Sequence, residues 1–196
     1  MATLDQESHF RSIPWCRKLL DHPDYQITTT FSRQYKESTE DSLLAETLKT
    51  DNTVRSVLSL SRRPREISLE GERGGKALRI DEIRTLVSLG SGMNGHSHIL
   101  HGGIVATLLD EVMGILLTAN KDPANASIQG ETFTAYLHVN YLKPVDTPQT
   151  VVVIAKFREL KGRKHYIEST IEDGSGVVLA KGEALWVGIK ESKEKL

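Results

Sequence analysis

Residues 101 to 114 read HGGIVATLLDEVMG: a histidine, two glycines, then an apolar run with an acidic pair in its middle. A carboxylate moved out of water without a partner costs several kcal/mol, so Asp110 and Glu111 call for a reason. At a helix start, Gly102 and Gly103 would leave backbone N–H groups uncovered at the positive end of the helix dipole, and such donors suit a developing negative charge. A carboxylate facing those donors is an arrangement with chemical potential.

The spacing along this run says how the elements must hold these groups. Placed 100° apart, Ile104, Val105, Leu108, Leu109, Val112, Ile115 and Leu116 form one broad stripe that should pack on a sheet. The opposite side carries Gly103, Ala106, Thr107, Asp110 and Gly114, small residues that let another backbone come close. Between Thr85 and Asn120 the only charged residues are Asp110 and Glu111, so neither side of the helix carries the lysines and arginines of a wet face. A second copy of the same helix, related by a twofold axis, is the expected cover. Run antiparallel, it would bring Asp110, roughly 10 Å along the helix from the glycines, near the partner's helix start. The plainer alternative is an Asp110 that faces solvent or caps a loop of its own chain.

The surrounding pattern predicts an α+β fold. IRTLVSL is a strand candidate, GSGMNGHSH a turn-rich loop, and IVATLLDEVMGILLTAN a helix that ends near Lys121 to Pro123. TFTAYLHVNYLKPV, QTVVVIAKFREL, HYIESTIE and VVLAKGEALWVGI then read as four strands joined by short turns, hence antiparallel. Residues 1–50 are expected to be a helical N-terminal extension, with Asp41 as an N-cap, and 51–196 the main domain. VRSVLSLSRR fits a strand or a helix turn, and EISLEGERGGKALRIDEI a loop or surface hairpin.

The totals exclude several classes. The 196 residues carry 25 Lys plus Arg against 26 Asp plus Glu, a formal net charge of -1, with no single-sign block, so nucleic acid is not an expected partner. One cysteine, Cys16, cannot form an intrachain disulfide and fits a reducing, cytoplasmic setting. The first 25 residues have no apolar core of signal type, and the apolar stretch around residues 99–119 is broken by glycines and acids, so membrane insertion is not expected.

HGGIVATLLDEVMG followed by TFTAYLHVNYLKPV resembles the hotdog-fold acyl-CoA thioesterases of the PaaI and THEM type over about residues 80 to 189. The resemblance implies a curved antiparallel sheet wrapped around one long helix, assembled as a dimer or a dimer of dimers with active sites between subunits. It places the acid that activates water or attacks the thioester at Asp110 and the backbone N–H that polarises the carbonyl at Gly102. It also places the motif histidine at His101, a water-holding hydroxyl at Thr134 and the upstream amide at Asn94, which lies seven residues before His101 where related sequences have six. Gly103, Glu111, Tyr136 and His138 are the accompanying substrate-contact candidates. Tyr136 and His138 are taken to share the strand face of Thr134, and Glu111 to be mainly structural.

The expected activity is hydrolysis of acyl thioesters of coenzyme A or of a carrier protein, with neither metal nor organic cofactor. A non-catalytic acyl-CoA-binding protein is the alternative, and a hotdog dehydratase a less favoured third. GSGMNG fits G-x-G-x-x-G, but no β/α alternation follows it; GERGGKA lacks the spacing of a phosphate loop. His96, His98 and His101 with Asp110 form a weak zinc pattern. Cys16, beside Trp15, is expected to be packed and inert, and Trp15, Trp186 and Tyr141 to be core or interface residues.

Overall fold

The computed structural model describes residues 2–69, 75–121, 128 and 130–189. Two helices, α1 (Ala2–Arg11) and α2 (Pro14–Leu20), lead into strand β1 (Tyr25–Thr28), a 3₁₀ turn at Phe31–Arg33 and a π-type turn at Leu43–Thr47. Then come β2 (Val54–Arg62), a hairpin of β3 (Arg65–Leu69) and β4 (Gly75–Arg79), β5 (Glu82–Leu89), and the short pair β6 (Asn94–His96) and β7 (Ile99–Leu100). Helix α3 (Gly102–Ala119) is followed by β8 (Thr132–Tyr141), β9 (Gln149–Lys161), β10 (Lys164–Glu172) and β11 (Val178–Gly188). One seven-stranded antiparallel sheet has the order β1-β2-β5-β9-β10-β11-β8 and carries α3 on one face.

Eight residues of α3, among them Leu109, Val112, Met113 and Leu116, are buried against the sheet. The stripe is the expected one with Met113 and Leu117 added and Ile104 only half-buried. By length and apolarity α3 could cross a membrane, but here it is the core helix. Both its ends are fixed. His101 caps the start, and at the far end the Asn120 amide donates to Leu116 O and Ile80 O and accepts from Ile80 N. The sheet comes close enough at Gly182 that a Cβ there would lie 3.3 Å from Met113 Cε.

The other face of β2, β5 and β9 is also covered. Phe10 and Cys16 of the extension pack on Leu58, Leu86 and Val152, while Val87, Val151 and Val153 point to α3. A strand buried on both faces loses the polar alternation that marks it in sequence, and for that reason VRSVLSLSRR fits a helix turn as well as the strand β2 that it forms. The extension is therefore not helical throughout: β1 pairs with β2, Tyr25 opposite Arg62, and extends the sheet. Asp41 is not an N-cap. Its carboxylate takes Lys36 Nζ at 2.5 Å, and the following turn has no side-chain cap.

Among the last four strands, one pairing departs from the simple meander. β8 and β9 follow each other in sequence but lie apart, because residues 142–148 carry the chain across to the middle of the sheet and β8 pairs only with β11. β8 is thus an edge, and most of its residues are exposed.

Candidate active site

The start of α3 forms the first half of the site. His101 has φ -59° and ψ 134°, extended backbone that turns into the helix, and its Nδ1 accepts the Gly103 N–H at 2.9 Å. The next amide hydrogens, from Ile104 and Val105, go to His101 O. Tyr141 Oη donates to Gly102 O at 3.1 Å, and its ring lies where a Cβ on Gly102 would meet it at 3.4 Å. Of the first-turn donors, only the Gly102 N–H has no acceptor among the described residues. It emerges at the positive helix end, so it is the donor available to a carbonyl oxygen that gains charge. Gly103 was expected to contact substrate, but its N–H is spent on the His101 cap, which leaves only an exposed small residue. Asn94 belongs to this half: it pairs with Leu100, and its Oδ1 accepts the Thr147 hydroxyl.

Asp110 and Thr134 form the second half. Thr134 Oγ1 donates to Asp110 Oδ1 at 3.0 Å, from β8 to α3. Burial pushes the Asp110 carboxyl above the ordinary carboxylate value, and the Thr134 hydrogen bond opposes that rise by favouring the charged form. The two halves lie seven to eight residues apart on one helix, roughly 10–12 Å at 1.5 Å per residue. A base acts at hydrogen-bond distance or through one water, so a single chain cannot place both groups on one carbonyl.

From Asp110 a cleft of about 230 Å³ runs along the C-terminal half of α3. Glu111 lines it, turned toward the extension. Its carboxyl is pushed up by burial, less so because Ser32 and Arg33 are near. The Ser32 hydroxyl makes no hydrogen bond of normal geometry, yet it is close enough to favour the Glu111 carboxylate. Sequence reasoning missed Phe31 and Ser32 as cleft residues, because nothing in residues 1–50 signals which part of α3 they meet.

Tyr136 and His138 require a correction. β8 has a bulge at Ala135: Leu185 pairs with Tyr136, but Trp186 with Thr134. An extra residue reverses the side-chain alternation. Thr134 therefore faces α3 with Trp186, while Tyr136 and His138, stacked at 4.8 Å, face the opposite side, where Tyr136 adjoins Arg158 and Tyr166. They do not line the cleft at Asp110.

Residues 97–180, which contain α3 and most of the sheet beside it, match the model of the thioesterase superfamily. The chain has the hotdog fold, and its residues 97–180 are similar to the thioesterase-superfamily domain. It is 30% identical over 132 residues to verlamelin biosynthesis protein B of Lecanicillium sp., covering 56% of this chain and 57% of that one. It is also 30% identical over 83 residues to the acyl-coenzyme A thioesterase THEM4 of Rattus norvegicus, covering 42% of this chain and 32% of that one. The chain thus spans between a third and somewhat over half of these relatives' lengths. A mutant hypothetical thioesterase protein from Streptococcus pneumoniae TIGR4 has the same fold, with TM-score 0.51, 12% identity, and coverage of 65% of this chain and 92% of that one.

Other motifs within and around residues 97–180 have structural explanations. In GSGMNG, Gly90 lies so close to Asn52 that a Cβ would be 2.4 Å from its backbone, and the Gly90 and Gly92 N–H groups donate to Thr53 O and Asn52 O. Donors used in that way cannot hold a phosphate. GERGGKA lies mostly outside the described residues. No group of three His, Cys, Asp or Glu among the described residues could hold a metal. Cys16 is fully buried, and burial pushes its thiol up to about 12, away from nucleophilic use. Trp186 is buried but also lines the cleft at Asp110, and Tyr141 braces the helix start.

Proposed function

We propose that the protein hydrolyses acyl-CoA thioesters in a site made by two copies of the chain. The Gly102 N–H of one protomer receives the thioester oxygen, and Asp110 of the other, held by Thr134, takes a proton from the attacking water. The observation that carries this reading is the Asp110–Thr134 pair at 3.0 Å on the same helix as a free Gly102 N–H, too far along it to act on one carbonyl alone. Water is the nucleophile in this reading: Thr134 holds Oδ1 of Asp110 and leaves Oδ2 to accept the proton of the attacking water.

Two features favour the dimer. β8 is an exposed edge strand of ten residues, with its backbone donors and acceptors open on one side, and the small-residue side of α3 lies beside it with Gly103 exposed. Antiparallel pairing of two β8 strands would cover both and set the two helices head to tail. Light scattering on the purified protein is expected to give twice the 21.8 kDa chain mass or a higher even multiple; a strict monomer ends the composite site.

The activity is tested by thiol release from a panel of acyl-CoAs. A pH profile gives a sharper result. Asp110 must be ionised to act as a base, so kcat/KM should fall as pH drops through its pKa, which burial holds above the ordinary ~3.9. Thr134→Val removes the bond that favours the carboxylate, so this acid limb should move to higher pH. An unmoved limb would separate Thr134 from the reacting group.

A further inference from the structure

We propose that the extension segment 31–41 walls the acyl end of the cleft and that Phe31 limits the length of the acyl group admitted. The inference rests on the acyl-thioester reading above and adds which part of the substrate enters here and which residue selects it.

The cleft starts at Asp110, where the thioester carbon must sit, and leads away from it beside Gly114 and Ile115 of α3, with Trp186 and Phe31 as the other apolar surfaces. At about 230 Å³ it lies below the roughly 300–1,000 Å³ of pockets that enclose a drug-sized ligand, so it suits one end of acyl-CoA and not the whole. Charge decides which end. Five carboxylates line the cleft against two ammonium groups, and both of these are already paired, Lys36 with Asp41 and Glu40, and Lys121 with Glu131. The phosphates of coenzyme A would meet uncompensated negative charge, whereas an uncharged acyl chain would not.

The wall is built to stay in place. Arg33, next to Ser32, donates to Leu44 O at 2.6 Å and Val54 O at 2.9 Å, tying the turn at Phe31–Arg33 both to the following turn and to β2. Phe31 is 46% exposed although a large aromatic gains from burial, as expected for a side chain whose apolar partner arrives with the ligand. Segment 31–41 precedes residues 97–180, so this selection is an addition to the thioesterase domain.

The test uses binding and turnover side by side on the full chain. S-alkyl-CoA thioethers of increasing length, which cannot be hydrolysed, are titrated by calorimetry into wild type, Phe31→Ala and Phe31→Trp. The acyl-CoA series is assayed by thiol release. Each methylene newly buried is worth about fourfold in affinity. Phe31→Ala should therefore favour the longest chain over the shortest by about tenfold or more relative to wild type, and Phe31→Trp should do the reverse. A thioether ending in a carboxylate should bind at least about tenfold more weakly than its methyl-ended equal. Equal changes at every length, or equal binding of the carboxylate-ended chain, would overturn the proposal. Length selection in binding without thiol release from any acyl-CoA would reject hydrolysis and leave the wall standing.

Discussion

Asp110→Asn is expected to lower kcat for acyl-CoA hydrolysis by about 10²–10⁴-fold, the usual worth of a positioned general base, with KM nearly unchanged. The substitution keeps the side-chain shape and an oxygen for the Thr134 hydroxyl, 3.0 Å away, but removes the lone pair that takes the proton. The fold should not suffer. Burial raises the Asp110 pKa, so at neutral pH the folded state carries an ionised group that it disfavours relative to the unfolded chain. A neutral amide has no such cost, and the thermal midpoint should stay level or rise. Loss of activity with a stable fold therefore identifies chemistry, not damage. Activity within a few-fold of wild type would remove Asp110 from the mechanism; loss that tracks a lowered midpoint would make it structural.

Gly102→Pro should lower kcat/KM by about 10²–10³-fold, the usual cost of one oxyanion donor, while leaving the helix intact. Proline is favoured at the first helical position because that N–H has no intrahelical acceptor. The preceding residue must be extended, and His101, at φ -59° and ψ 134°, already is. The substitution thus deletes the free donor almost alone. A Cβ at Gly102 would meet the Tyr141 ring at 3.4 Å, a contact the ring can relieve by a small shift. Thiol-release kinetics separate the outcomes. A fall in kcat marks a donor used in the transition state; a rise in KM alone marks crowding by the ring; and unchanged rates with unchanged helicity would show that the carbonyl oxygen is held elsewhere.

Much of this site was legible because its signals are local. The cap at His101, the glycines and the 3.6-residue stripe of α3 lie within 18 consecutive residues, and helix periodicity alone turns Asp110 away from the sheet that buries Leu109 and Val112. The absence of any charge but Asp110 and Glu111 from residues 85 to 120 marks this helix as central. The link from Asp110 to Thr134, 24 residues on, came from resemblance; the geometry then placed a hydrogen bond there.

Strand faces and contacts between distant segments were decided by tertiary structure. The bulge at Ala135, which sends Tyr136 and His138 away from Thr134, depends on pairing with β11 some fifty residues later, and strand alternation carries no mark of an inserted residue until a partner strand defines the register. The pairing of β8 with β11 instead of β9 is equally non-local. Residues 1–50 gave only short helical patterns, yet they supply a sheet strand, cover the outer face at Leu58, Leu86 and Val152, and bring Phe31 and Ser32 beside Glu111. The physical reason is the same in each case. Periodicity records which way a side chain points within its own element, whereas the identity of what it meets is fixed only when elements far apart in the chain pack together.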